Sequence, residues 1–436
     1  MKRFMTIFLA GVMLMCSSGC SNIADIETDP GTVTVSEAEI LPLAAVSLPQ
    51  AAGFDDYDAR RAVRDENAVD EGFIAALSAF AAKSGAALPL EAGENLCYSP
   101  MSLYFALAMA AQGAEGETES ELLSLLGAGD PDALAEQCAM LYRRMYTDNE
   151  VGKLLSANSV WVDDDFAVRE EFAKKLAEYF YAGSFNADLA GEASAIAMSQ
   201  WVKEHTGGKL APEFKPDPLK AMSLINTIYL KDEWSFLFPE ENTAPATFHA
   251  ENGDIECDFM NSTFMGGSVL DGENFIATKL YTKNNCTMAF ILPDEGVEAA
   301  SLLGQAAEIA AGLNGENAAY GELIFSVPKF RFSSELSLAK MLIGLGLDSA
   351  FDAERANFSG ISEQPSFISS VVQGTYIAID EKGVEAAAYT ELALCGAGMP
   401  AESFEITLER PFLFVITSPY DSAPLFIGLV NDPMAE

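Results

Sequence analysis

The stretch EKGVEAAAYTELALCGAGMPAESFEITLERP, residues 381–411, carries two opposed structural signals. From Val384 to Leu394 every second side chain is apolar or small, and this alternation predicts a half-buried β-strand. The alanines at 386–388 form strands poorly, however, and the segment 396–400 has few side chains to fix a conformation, which is typical of an exposed loop. The sequence therefore predicts a segment that is a loop in one state and a strand in another.

The whole chain is long and apolar enough to bury one large core or two ordinary ones. It has 436 residues, 50% of them hydrophobic, and 65 acidic residues against 25 basic ones give a formal charge of -40. This charge repels phosphate backbones and anionic membranes at long range, so we expect no nucleic-acid partner. No internal repeat or linker is evident after residue 67, which indicates one domain at 67–436.

The N-terminus has the three parts of an export signal. Lys2 and Arg3 precede an apolar run that is too short to span a membrane, and small residues then lead to Cys20. This ending resembles a lipoprotein cleavage site, although Ser17 stands where a larger apolar residue is usual. We expect a signal peptide at 1–20 and an extracellular or cell-surface protein anchored by a lipid on Cys20, with plain secretion as the alternative.

Periodicity divides the rest of the chain into a tether and an α+β domain. Residues 21–66 are acidic and rich in proline and alanine without sustained periodicity, which is typical of a tether. In the domain, helical patterns are concentrated before residue 220 and strand-like patterns after it. The absence of a regular strand-helix repeat favours the α+β class over a doubly wound fold.

The chain offers little for catalytic or metal chemistry. Its two histidines, His205 and His249, have no carboxylate or cysteine at metal-ligand spacing, so neither a zinc site nor a catalytic triad is indicated. In so acidic a chain, the acidic run 163–165 is better explained as a solvated turn than as a pair of hydrolase carboxylates. We expect no enzyme activity, no cofactor and no metal site.

From about residue 70 to its end, the chain carries a series of short motifs that resembles the serpin family in order and in residues. Each motif is weak alone, but the whole ordered set is specific, and the sequence is identified as a member of that family. The motifs are NLCYSPMS at 95–102, WV at 201–202 with TGGKL at 206–210, LINTIYLKDEW at 224–234, VPKF at 327–330, IDEKG at 379–383, RPF at 410–412 and PLFIG at 424–428.

The resemblance implies a fold of three β-sheets with about nine helices and an exposed reactive-centre loop. The loop is offered to a target protease as bait. In inhibitory members, cleavage lets the loop insert as a new central strand of the large sheet, which drags the acylated protease along and distorts its active site. The function implied is therefore kinetic trapping of a protease rather than catalysis.

The opening stretch resembles the hinge on which this insertion depends. EKGVEAAA at 381–388 is similar to the EEGTEAAA of inhibitory serpins, with Val384 in place of the usual Thr or Ser. None of the inward side chains is charged, so insertion carries no desolvation penalty there, and we expect an inhibitor. A loop that is cleaved without inserting is the alternative. The resemblance assigns the hinge to Glu381, Gly383, Val384, Glu385, Ala386, Ala387 and Ala388.

Counting along the loop from Glu381, as in other serpins, places the scissile bond at Ala397-Gly398, with Cys395 and Met399 left open. A small residue before the bond fits a shallow pocket, so the resemblance implies an elastase-like or subtilisin-like serine protease as the target and a monomeric inhibitor. Trypsin-like targets are not expected, because Lys382 is the sole basic residue before Arg410 in this stretch. The alternative is a non-inhibitory serpin that serves as a cell-surface binding or scaffold protein.

The resemblance also implies two sites that hold the large sheet closed. At its top, Lys329 forms an ion pair with Glu381, and Trp234 packs beneath the point where the loop enters. Lower down, Ser99 and Ser102 form the shutter. The histidine usual in the family is here Gln373, an amide that cannot titrate near neutral pH.

Overall fold

A computed structural model of the protein describes residues 40–218, 220–385, 402–420 and 422–435. These residues belong to one unit, Glu39–Glu436, and their mixture of helices and strands confirms the α+β class. None of the described helices is long and apolar enough to cross a membrane. The nine α-helices of the described residues are α1 Tyr57–Glu66, α2 Glu71–Ala86, α3 Pro100–Ala111, α4 Glu117–Leu126, α5 Pro131–Met145, α6 Glu170–Tyr179, α7 Glu192–His205, α8 Ala306–Gly312 and α9 Ala339–Gly344.

The described residues form sixteen strands, most of them after residue 220, as the sequence patterns predict. They are β1 Leu96–Tyr98, β2 Thr147–Asp148, β3 Lys153–Asp163, β4 Ala182–Ala187, β5 Met222–Glu233, β6 Ala244–Ala250, β7 Gly253–Asp271, β8 Phe275–Tyr281, β9 Thr287–Pro293, β10 Ala319–Pro328, β11 Phe330–Ser337, β12 Ser370–Ile379, β13 Gly383–Val384, β14 Ser403–Thr407, β15 Phe412–Thr417 and β16 Pro424–Val430.

Backbone pairing joins these strands into two continuous sheets. The nine-stranded sheet has the order β1-β16-β15-β9-β8-β7-β10-β14, with β6 paired to β7. The seven-stranded sheet has the order β11-β12-β13-β5-β3-β2, with β4 paired to β3. Strand β7 is 19 residues long and pairs with β6 near its start and with β8 at its end. One continuous strand therefore links what would otherwise be separate sheets.

Helix α3 lies at the centre of the core, against β3 and β5 of the seven-stranded sheet and β16 of the nine-stranded sheet. Ser99 caps it, because its Oγ accepts a hydrogen bond from the Ser102 N–H at 3.2 Å, and Pro100 occupies the first turn. All twelve of its residues are buried, so the helix has no polar face. The cap fixes the position of Ser99 below the seven-stranded sheet.

The N-terminal part of the described chain corrects the predicted domain boundary. The sequence predicts a tether at 21–66, but residues 40–66 belong to the compact unit. Leu43 donates its N–H to the carbonyl of Ser184 on β4 at 2.7 Å, and Ile40 packs against the cluster that includes Trp161. Because these contacts are made by scattered apolar residues, they leave no periodic signal in the sequence. Residues 40–52, which we call the N-terminal strap, lead into α1.

The two sheets meet through an aromatic contact that depends on a glycine. Phe414 on β15 pairs with Gly428 on β16, and its buried ring stacks on Phe330 of β11 with centroids 5.6 Å apart. A Cβ at position 428 would lie 2.1 Å from the Phe414 ring. The glycine in the PLFIG motif therefore leaves the space that the Phe414 ring occupies.

We expect Gly428→Ala to destabilise the protein by about 1–3 kcal/mol, because the added methyl displaces a ring in a packed core. The same substitution at Gly129, where an added Cβ meets nothing within 4 Å, is the matched control and should leave the stability nearly unchanged. Chemical denaturation followed by far-UV circular dichroism measures both. Equal effects of the two substitutions would contradict this account of Gly428.

Candidate functional site

The first hinge residues lie inside the seven-stranded sheet. Strand β13, the pair Gly383–Val384, separates the upper ends of β12 and β5. Val384 pairs with Ile379 of β12 and with Asp232 of β5, antiparallel to both, and is 1% exposed. The chain has therefore begun to form a new central strand.

Below this wedge, β12 and β5 make no backbone pairing with each other over most of their length. Strands β12 and β5 pair directly at Ser370–Ser223 and Val371–Leu224, near the bottom of the sheet. Between Val371 and β13, the described residues contain no further backbone pairing of β12 with β5. We call this unpaired stretch the seam. A continuation of β13 would run down it.

The hinge leaves the sheet at Glu385. Its N–H still donates to the carbonyl of Ala378 at 3.0 Å, but its φ is 51°, a left-handed conformation that residues other than glycine rarely adopt. The carboxylate accepts hydrogen bonds from Lys209 Nζ at 3.0 Å and from the Tyr229 hydroxyl at 3.1 Å. Glu385 thus has two side-chain partners that hold it out of the extended conformation that the seam requires.

The contacts of Glu385 raise the pKa values of its two partners. Its hydrogen bond raises the pKa of Lys209. Burial first, and the charge of Glu385 second, raise the pKa of Tyr229 to about 12, so the phenol stays protonated and donates at neutral pH. The remaining hinge residues Ala386, Ala387 and Ala388, the bond Ala397-Gly398 and the lipidation residue Cys20 lie outside the described residues.

A turn just before β13 carries the ion pair that the resemblance implies. Glu381 lies 3.2 Å from Lys329 Nζ and accepts a hydrogen bond from Thr243 Oγ1 at 2.8 Å. Trp234, 1% exposed, donates its indole N–H to the carbonyl of Asp380 at 2.9 Å. The structure thus brings Trp234, Lys329 and Glu381 together where the hinge enters the sheet.

At the lower end of the seam, Gln373 bridges β12 to the start of α3. Its side-chain oxygen accepts the N–H of Ser99 at 2.8 Å, and its amide nitrogen donates to the Ser99 carbonyl at 2.9 Å. Thr375 adds a bond from its hydroxyl to the carbonyl of Cys97 at 2.7 Å. Ser102 is also buried, but its hydroxyl makes no hydrogen bond within the described residues. The bridge therefore uses the backbone of Ser99 rather than the serine hydroxyls.

Four residues of this site were not singled out from the sequence: Lys209, Tyr229, Thr243 and Thr375. Thr375 is two residues from Gln373 on the same face of β12, which strand alternation could have revealed. Lys209 and Tyr229 lie within the family motifs and Thr243 follows one of them, but their partner Glu385 or Glu381 is more than 130 positions away in the chain. No spacing rule connects such residues.

A family model described as serpin (serine protease inhibitor) matches residues 75–433. The chain belongs to the serpin family. Serpins are generally protease inhibitors rather than catalytic enzymes, which agrees with the expectation of no enzyme activity. The match also includes both ends of the seam and the hinge.

Relatives of this serpin come from distant organisms. A serine protease inhibitor of Cyanea capillata is 28% identical over 358 residues, 79% of this chain and 94% of the relative. An uncharacterized serpin-like protein of Thermococcus kodakarensis is 30% identical over 78% of this chain and 81% of its own. The crystal structure of the thermophilic serpin tengpin in the native state gives a TM-score of 0.76 at 28% identity, over 84% of this chain and 95% of that one. These similarities confirm the serpin fold.

The ion pair at the top of the seam makes the resting serpin sensitive to acid. Burial by itself raises the pKa of Glu381, but its hydrogen bonds, including that from Thr243, and the charge of Lys329 outweigh burial and lower the pKa overall. Because the pKa is lower in the folded state than in the unfolded state, ionised Glu381 stabilises the fold above the unfolded value of about 4.3. That contribution is lost as the pH falls through the folded pKa.

We expect Lys329→Met to lower the thermal midpoint at pH 7 by about 2 °C, a modest effect because the pair is partly exposed. Since the wild type loses the same interaction in acid, the two midpoints should converge as the pH falls below about 4. The matched control is Lys382→Met, because Lys382 is 3.7 Å from Glu240 in an exposed pair. A difference between Lys329→Met and the wild type that stays constant down to pH 3 would contradict this assignment.

Proposed function

We propose that this serpin is an inhibitor that acts as a suicide substrate of an extracellular serine protease. The observation that supports it is the wedge of Gly383–Val384 between β12 and β5, above a seam without backbone pairing. An inserted loop would pair with both strands along the seam. The free energy of that pairing and burial would drive the trapping of the protease.

The side chains of the hinge suit insertion along the seam. If β13 continued in the same register, residue 386 would come opposite Leu230 and residue 388 opposite Ile228, both buried residues on the core side of β5. Ala386 and Ala388 are small and uncharged, so they would enter this face without desolvating a charge. Glu385 and Ala387 would lie on the opposite face, where a carboxylate is tolerated.

The inhibitory reaction begins as ordinary proteolysis at the bond Ala397-Gly398. The catalytic serine of the protease attacks the carbonyl carbon of Ala397, the C–N bond breaks, and the new amine of Gly398 takes up the proton. Ala397 stays joined to the serine by an ester. Insertion of the hinge before water attacks that ester would carry the protease away with it, so the outcome depends on a competition between two rates.

A small residue before the scissile bond selects the target class. Ala397 fits the shallow pocket of an elastase-like or subtilisin-like protease, with cleavage after Cys395 or Met399 as alternatives. The export signal with Cys20 suggests that the inhibitor works outside the cell, on a lipid anchor that keeps it at the surface. Its high negative charge gives no basis for binding nucleic acid.

The direct test is incubation of the protein with pancreatic elastase, subtilisin and trypsin. We expect a complex with elastase or subtilisin that survives boiling in detergent, and a released C-terminal fragment that begins at Gly398. Trypsin is the negative control. Cleavage of the loop by every protease without any such complex would favour a non-inhibitory serpin that serves as a surface binding or scaffold protein.

A charge on the inward face of the hinge should convert the inhibitor into a substrate. We expect Ala388→Arg to be cleaved at the same bond while forming at least tenfold less complex, because an arginine would be buried without a partner. Tyr389→Arg is the matched control, since in an inserted strand position 389 would lie on the outward face, and it already carries a bulky residue. Titration of remaining protease activity against inhibitor gives the stoichiometry for each variant. Complex formation by Ala388→Arg at the wild-type stoichiometry would exclude insertion at this face.

A further inference from the structure

A cavity of about 550 Å³ lies on the outer face of the seven-stranded sheet, away from the core. Its floor is formed by β3 and by Tyr229 of β5, one side by the end of α7, and part of its wall by the N-terminal strap. The strap residues that line it are Pro42, Val46 and Leu48. The cavity is therefore completed by the segment that sequence periodicity assigns to a tether.

The walls of the cavity are mainly aromatic. Tyr142 stacks against Tyr181 with ring centroids 4.3 Å apart and against Tyr146 at 6.0 Å, and Trp201 stacks on His205 at 4.2 Å. All five residues line the cavity. A volume of this size with flat apolar walls and a few polar groups is typical of sites for small molecules. Flat walls favour a planar ligand, since aromatic rings pack best in stacked or edge-on arrangements.

The polar groups in the cavity wall determine which functional groups a ligand can have. The Trp201 indole N–H and the Tyr146 hydroxyl make no hydrogen bond within the described residues, so both are available to a ligand oxygen. Lys153 and Asp148, at the end formed by β2 and β3, are paired with each other at 2.8 Å. The site therefore offers donors for an acceptor group and no unpaired cation for a strongly anionic one.

We propose that this cavity binds a small planar aromatic molecule carrying a hydrogen-bond acceptor, and that the ligand is sensed at the hinge through Tyr229. Tyr229 lines the cavity and also donates its hydroxyl to Glu385 at 3.1 Å. It is thus shared between the cavity and the residue at which the chain leaves the sheet. Binding of the aromatic ligand does not depend on inhibitory activity; its effect on inhibition rests on the proposed function.

The direction of the effect follows from what insertion requires. The register of β13 would place residue 387 opposite Tyr229, and Glu385 would have to exchange its left-handed conformation for an extended one and release the Tyr229 hydroxyl. A ligand packed on the Tyr229 ring holds that hydroxyl where it contacts Glu385. Ligand binding therefore favours the resting hinge and slows insertion.

Binding is tested on the full chain with 6-propionyl-2-(dimethylamino)naphthalene, an uncharged, planar fluorescent probe whose ketone is a hydrogen-bond acceptor. We expect saturable binding at one site and at least tenfold weaker binding in Ala157→Leu, because Ala157 lines the floor and the larger side chain fills the cavity. Ala193→Leu, the same change at an exposed position of α7, is the matched control. Trp201→Phe, which keeps an aromatic ring but removes the indole N–H, should weaken binding about threefold and covers the case in which Ala157→Leu fails to fold. Absence of saturable binding, or equal loss in Ala157→Leu and Ala193→Leu, would overturn the site.

The connection to the hinge is tested by hydrogen-deuterium exchange of the Glu385 amide, a readout that does not depend on protease inhibition. We expect saturating probe to slow exchange at Glu385 at least threefold in the wild type and to leave it unchanged in Tyr229→Phe, with each protein measured at its own saturating probe concentration. Equal slowing in Tyr229→Phe, or none in the wild type, would exclude Tyr229 as the link. If the protein inhibits no protease, the proposed function fails while both results on the cavity still stand.

Discussion

The backbone groups of β5 and β12 impose the constraint on which the rest of this serpin depends. A buried backbone N–H or carbonyl needs a hydrogen-bond partner. Along the seam, β5 and β12 do not provide such partners for each other. Two hinge residues satisfy the need at the top, where Gly383–Val384 pairs with both strands. Further insertion would satisfy the remainder. In the resting state, therefore, only the first two residues of a stabilising central strand are in place.

Different chemistry keeps the two ends of the seam in place. At the top there are two ion pairs, Glu381 with Lys329 and Glu385 with Lys209. At the bottom, Gln373 makes two hydrogen bonds to the backbone of Ser99, and an amide keeps both at any pH near neutrality. The upper contacts are electrostatic and respond to acid and salt, whereas the lower ones respond to neither.

Helix α7 and the N-terminal strap add a second layer over the same sheet. Lys209, just beyond α7, reaches the hinge, and Tyr229 contacts both the hinge and the cavity beside α7. Movement of the hinge is thus linked to the outer face of the sheet as well as to its edges. Because the Tyr229 side chain contacts both the cavity and the hinge, a ligand in the cavity can influence the movement of the hinge.

The sequence alone determined the family and the α+β class, since these depend on local order: motifs in sequence, and helical or strand-like periodicity. Its motifs also contain Trp234, Lys329 and Glu381, which the structure brings together at the top of the seam. Tertiary structure decided the rest. Lys209, Tyr229 and Glu385 are remote in the chain, Gln373 binds a backbone that any residue supplies, and the strap packs through scattered apolar side chains. Such contacts depend on how elements meet in space, and no local pattern of residues encodes them.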